Sequence, residues 1–120
     1  MESKDVIKSL AALAQTTRLK IFRRLIEAGP SGAAVNEIAS ELGVAPATLS
    51  FHLKELTHAD LITPRQAGRF IYYTANFAQM QAVTTYLTEN CCTRAAACCM
   101  PPLAAAPTRT KTRVRRKTQS

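Results

Sequence analysis

Residues 1–90 contain no cysteine, residues 107–120 contain no acidic side chain, and nowhere does the chain approach the ~20 consecutive apolar residues of a membrane span. The last absence leaves no place for a transmembrane helix. No short apolar stretch follows a basic start, as it would in a secretory signal, so the expected compartment is the cytoplasm, with no membrane partner. Enzyme constellations are missing too: no nucleophile stands with a base, no carboxylates are paired, and no glycine loop is shaped to cradle phosphate. The chain is therefore expected not to be an enzyme and to need no organic cofactor.

What is present fits one ordinary domain. The chain has 120 residues, 47% of them hydrophobic and 20% charged, enough to fill a modest core. Its net charge of +8 is unevenly placed: residues 1–106 hold ten Lys and Arg against eight Asp and Glu, whereas residues 107–120 hold six basic residues. The surplus suggests a polyanion partner, but the tail alone can account for most of it, so the case for nucleic acid must rest on the body. All four cysteines fall at positions 91, 92, 98 and 99. In a cytosolic protein such clustering reads as a soft-metal or redox site rather than a disulfide framework.

Along the chain, Lys4–Ala14 places Ile7, Leu10, Ala11 and Ala14 at helical spacing. A second helix is expected from a cap at Thr16 or Thr17, with Leu19, Phe22, Leu25 and Ile26 as its stripe and Gly29-Pro30 as its stop. Val35, Ile38, Ala39 and Leu42 mark a short third helix closed by Gly43. Pro46 then opens a fourth, with Leu49, Leu53 and Leu56 as its stripe, running to about Ala59. Beyond Asp60 the period changes: Leu61–Gln66 and Arg69–Ala75 read as strands joined by an Ala67-Gly68 turn. Helical spacing returns at Phe77 and ends near the cysteines. The chain thus divides into an ordered part, 1–92, and an Ala- and Pro-rich segment with a basic tail, 93–120, that carries no amphipathic period and is expected to be mobile.

Two short helices joined by a tight Gly-containing turn and followed by a hairpin give a mainly α fold with a β-hairpin wing, the winged helix-turn-helix. Its second helix enters the major groove of DNA. With Leu49, Leu53 and Leu56 turned to the core, the free face carries Ala47, Thr48, Ser50, Phe51 and Lys54. Thr48 and Ser50 suit phosphates or base edges, Lys54 suits phosphate, and Phe51 suits a thymine methyl or completes the core. Arg65 and Arg69 flank the wing and are expected to track the DNA backbone beside it. His52 has two readings, a phosphate contact or a core-edge histidine with a buried polar partner. One subunit offers few base contacts, so a dimer spanning two half-sites of double-stranded operator DNA is expected.

The run LSFHLKELTHADLITPRQAGRFIYYTAN resembles the recognition helix and wing of the ArsR/SmtB family of metal-responsive repressors, with its Ser-x-His-Leu core, Leu-Ile entry to the wing and Gly-Arg turn before an aromatic strand. The similarity extends from about residue 5 to 92 and includes the TTRLKIFRRL helix. It implies a homodimer packed through the first and last helices, bound to an inverted-repeat operator and released by an inducer. Two inducer sites known in the family lack their residues here: VNEIAS has no thiol, and AQMQAVTTYLTEN offers only Glu89. The segment ENCCTRAAACC resembles a third arrangement, in which a vicinal pair ending the last helix and a later cysteine bind trivalent arsenic. That resemblance carries over to Cys91, Cys92 and Cys98, with Cys99 as an extra thiol.

Coordination chemistry agrees, because trivalent arsenic and antimony are soft acceptors that favour three thiolates. In one continuous helix Cys91 and Cys98 would lie ~10 Å apart along the axis, so the helix must end near Asn90–Thr93 unless the later thiols come from the other subunit. Two alternatives stand beside this reading. One is zinc or cadmium, although structural zinc sites usually space paired cysteines by two to four residues. The other is a thiol redox switch, for which Arg94 is the sole evident neighbour able to lower a thiol pKa.

Overall fold

A computed structural model describes residues 1–95; Cys98, Cys99, the rest of the Ala- and Pro-rich segment and the basic tail lie outside the described residues. The chain divides into two units, Met1–Tyr86 and Leu87–Ser120. In order, the elements are α1 (Ser3–Leu13), α2 (Thr16–Ala28), a short 3-10 turn (Gly29–Ser31), β1 (Ala33–Ala34), α3 (Val35–Leu42), α4 (Pro46–His58), β2 (Ile62–Ala67), β3 (Phe70–Ala75) and α5 (Phe77–Thr88). The strands form an antiparallel sheet in the order β1-β3-β2. This is the winged helix-turn-helix that periodicity and turn chemistry lead one to expect.

The core gathers one face from each of α2, α3 and α4. Ile21, Leu25, Ile38, Leu49 and Leu56 are fully enclosed, and Leu61 and Ile62 join them from the base of the wing. Glu37 starts α3 by accepting from the Ala34 N–H (2.9 Å), and Gly43 ends it in the left-handed conformation. On the outside Arg24 of α2 grips both carboxylate oxygens of Glu41 on α3. That hydrogen bond lowers the Glu41 carboxyl and raises the Arg24 guanidinium from their ordinary values. The pair is exposed to solvent, so it aligns the two helices more than it stabilises them.

Two local expectations are corrected, and two features are added to them. Gln15, not a threonine, caps α2, its side-chain oxygen accepting from the Arg18 N–H (2.8 Å). The hairpin turn is Gly68-Arg69, one residue later than Ala67-Gly68, because Ala67 pairs with Phe70 and the first turn position needs the positive φ that Gly68 has (63°). On α1 the buried residues are Val6, Ser9 and Ala12, while Ile7 (64% exposed), Leu10, Ala11 and Ala14 face outward. Buried Ser9 is satisfied by Gln79 of α5 (3.2 Å). Finally, β1 has no counterpart in the sequence reading.

The base of the wing explains β1. Ala33 and Ala34 pair with Tyr73 and Tyr72, adding a third strand where the hairpin leaves the core. Toward its tip the hairpin is exposed on both faces, and an isolated hairpin of that kind is marginal. Gly32 makes the third strand possible. At φ 74° and ψ −166° it lies in a region essentially reserved for glycine, and a Cβ there would overlap the Tyr73 carbonyl oxygen and crowd Thr74. Gly32→Ala is therefore expected to cost about 3 kcal/mol. Gly43→Ala, whose Cβ would meet nothing within 4 Å, is expected to cost about 1 kcal/mol. Urea unfolding of the two variants side by side checks this; equal losses would mean that Gly32 is needed for its turn alone and not for the approach of β3.

Candidate functional site

Burial of Leu49, His52, Leu53 and Leu56 fixes the rotation of α4, and the opposite face carries Ala47, Thr48, Ser50, Phe51 and Lys54, all exposed. Phe51 is not part of the core; it is 56% exposed. His52 is 8% exposed, and its Nδ1 lies 3.3 Å from an Arg18 terminal guanidinium nitrogen. With the guanidinium as donor, Nδ1 accepts. Burial and this partner match what a core-edge histidine needs. Its ring also meets Phe51 edge to face, with centroids 5.4 Å apart at 64°.

Arg18 was not singled out by sequence reasoning. Its Nε donates to the Ala12 carbonyl at the end of α1 (2.6 Å), so one guanidinium ties the α1–α2 corner to α4. Nothing in the local pattern marks it, since a cation in an amphipathic helix ordinarily faces solvent.

Between α4, the start of α3 and β3 lies a groove of about 450 Å³, lined by Ser50, Lys54, His58 and Arg69 together with Leu53 and Tyr73. No carboxylate contributes to its lining among the described residues. Three expected DNA-contacting residues, Ser50, Lys54 and Arg69, therefore share one concavity, and His58 was a further lining residue that sequence did not assign to it. Thr48 and Phe51 stand on the adjoining outward face of α4. Arg65 is held elsewhere on the wing, its guanidinium 5.1 Å above the Tyr72 ring and donating to the Ser31 carbonyl (3.2 Å).

The second unit begins with the last turn of α5, which stops at Thr88, just short of the expected Asn90–Thr93 window. A succession of turns follows. The Cys91 N–H donates to Thr88 (3.1 Å), Thr93 to Asn90 (3.2 Å) and Ala95 to Cys92 (3.1 Å). Asn90 and Cys92 both sit at φ 62°. Asparagine tolerates that region, but a cysteine there is strained. The Cys91 and Cys92 sulfurs lie 3.3 Å apart. Among the described residues no group of three or more His, Cys, Asp or Glu side chains gathers as a metal site, and Cys98 and Cys99 lie outside them. No helix among the described residues is long and apolar enough to cross a membrane.

A family model described as a helix-turn-helix domain matches residues 13–65. No curated protein matches the chain. Among solved structures, a possible transcriptional regulator for arsenical resistance is 32% identical, with 69% of this chain and 86% of that one covered and a TM-score of 0.55. An ArsR-like transcriptional regulator from Rhodococcus sp. RHA1 is 26% identical over 70% of this chain and 76% of its own, with a TM-score of 0.63. The homodimeric winged helix-turn-helix DNA-binding domain of Mb0332 from Mycobacterium bovis, a possible ArsR-family regulator, is 29% identical over 72% and 85%, with a TM-score of 0.56.

The cationic groove generates a quantitative expectation. Lys54→Ala and Arg69→Ala should each weaken binding to specific and random duplex DNA alike and lower the log–log salt slope by about one. Fluorescence anisotropy across a salt series measures both. A variant with an unchanged slope would exclude that side chain from phosphate contact.

Proposed function

The chain belongs to the ArsR family of transcriptional regulators, and on that premise we propose that it is a repressor that binds operator DNA as a homodimer and lets go when trivalent arsenic or antimony is bound by its thiolates. Two findings support the dimer. Ile7, Leu10 and Ala11 of α1, with Ala14 at its C-cap, are exposed in the single chain, and the related Mycobacterium bovis domain is homodimeric. A dimer presents two copies of α4 to half-sites about 34 Å apart, one turn of the double helix. Thr48, Ser50 and Phe51 then meet base edges, Lys54 and Arg69 meet phosphate, and Arg65 extends the contact along the backbone.

The observation that carries the inducer assignment is the 3.3 Å separation of the Cys91 and Cys92 sulfurs. At about 2.3 Å per bond between a thiolate and a soft ion, both sulfurs reach one centre without moving apart. Thiolate donors suit trivalent arsenic and antimony, which are soft. Cys98 supplies the third sulfur in this proposal, and Cys99 is a reserve thiol. Each cysteine replaces one hydroxyl of arsenous acid, its thiol proton leaving with that hydroxyl as water.

Capture draws the chain after Asn90 into one arrangement. The thiols follow α5 directly in sequence, so the ordering is relayed through that helix to the spacing of the two recognition helices. A coupling of ~3 kcal/mol weakens operator binding about a hundredfold.

Cys91→Ser, Cys92→Ser and Cys98→Ser are each expected to keep DNA binding and lose release by arsenite, whereas Cys99→Ser keeps both. Operator binding is measured for all four variants with and without arsenite, and for the wild type also with antimonite, zinc, cadmium and a thiol oxidant. A normal arsenite response in any of the first three variants removes that residue from the site. Release of the wild type by cadmium or oxidant, but not by arsenite, replaces the metalloid with a divalent ion or a redox signal.

A further inference from the structure

Phe51 stands on the outward face of α4 and forgoes the burial that a phenylalanine ordinarily gains. Its ring is nevertheless held in place. His52 meets it edge to face at 5.4 Å, Arg18 holds His52 at 3.3 Å, and the Ala12 carbonyl holds Arg18 at 2.6 Å. An exposed aromatic ring anchored through three successive contacts is preorganised to meet something.

The chemistry around it narrows what that is. Ahead of Lys54, the exposed residues of α4 are Pro46, Ala47, Thr48, Ser50 and Phe51. None carries a guanidinium, which pairs with guanine through two bonds, or an amide, which pairs with adenine in the same way. The hydroxyls of Thr48 and Ser50 fit several base edges. The Phe51 ring, one helical turn after Ala47 and Thr48, offers apolar surface, and the C5 methyl of thymine is the apolar feature of the major groove. Lys54, the cation on the same exposed face of α4, lines the groove with Arg69, where phosphate is its partner.

We infer that Phe51 is the specificity-determining residue of the DNA interface and packs on a thymine C5 methyl, so that operators are selected through A·T pairs rather than through guanine edges. The inference rests on the DNA-binding function proposed above. Thr48 and Ser50 add hydrogen bonds once the register is set, and the cations add affinity without preference.

The test uses the full-length reduced chain and a pool of DNA duplexes randomised across a core long enough for two half-sites. After selection, each thymine of the preferred duplex is replaced singly by uracil, which deletes the methyl and nothing else. At one thymine in each half-site, the wild type is expected to lose about fourfold in affinity, the value of one buried methyl. Phe51→Ala should bind the thymine and uracil duplexes equally, and its own selection should no longer fix that base. At the same position 5-methylcytosine should bind the wild type more tightly than cytosine does, with no difference for Phe51→Ala. Equal binding of thymine and uracil duplexes at every position, or guanine at the positions that depend on Phe51, leaves DNA binding standing and overturns the methyl assignment. If no duplex is enriched over random sequence, sequence-specific DNA binding itself fails, and the inference falls with it.

Discussion

The rotation of α4 about its own axis is the constraint on which the rest of the molecule depends. Leu49, Leu53 and Leu56 settle it by burial, and a helix with one face committed to a core has no choice about the other. His52 refines the setting. It lies beside the leucines but is polar, so its burial needs a partner, and Arg18 supplies one from the α1–α2 corner. The recognition face is thus held by hydrophobic area in general and by a directional hydrogen bond in particular. Any change at that corner that displaces Arg18 alters the ring against which Phe51 rests.

The parts legible in the sequence were those whose signal is local. The α3–turn–α4 unit announces itself by leucine and isoleucine spacing, by Pro46 at a first helical position and by Gly43 between the helices. The two wing strands are marked by β-branched and aromatic residues. Less legible were features decided by partners distant in sequence. Helix α1 carries two candidate faces, and periodicity favours the richer one; the intramolecular core takes Val6, Ser9 and Ala12 and leaves Ile7 and Leu10 outside. A two-residue strand such as β1 has no period to detect, because it exists through pairing with β3. Arg18 and His52 lie 34 positions apart, and neither predicts the other.

The thiol segment shows the same division. Residue type and adjacency were enough to nominate soft-ion chemistry at Cys91 and Cys92. They carried no information on how the backbone would present the sulfurs. The left-handed conformations of Asn90 and Cys92, which turn the chain at each of these positions, belong to the geometry alone. A non-glycine residue in that region stores strain of the order of 1–2 kcal/mol, and such strain persists where the surroundings hold it.

The two wing cations are not equivalent in entropy. Arg65 is stacked on Tyr72 and bonded to the Ser31 carbonyl, so most of its rotamer freedom is already lost in the protein alone. Arg69 belongs to the turn at the tip, where the strands are exposed on both faces. Immobilising a long side chain costs roughly 0.5–1.5 kcal/mol, and that cost falls mainly on Arg69. In the proposed complex with DNA, Arg65 would then be the rigid member of the pair and Arg69 the adjustable one, able to follow local variation in groove width.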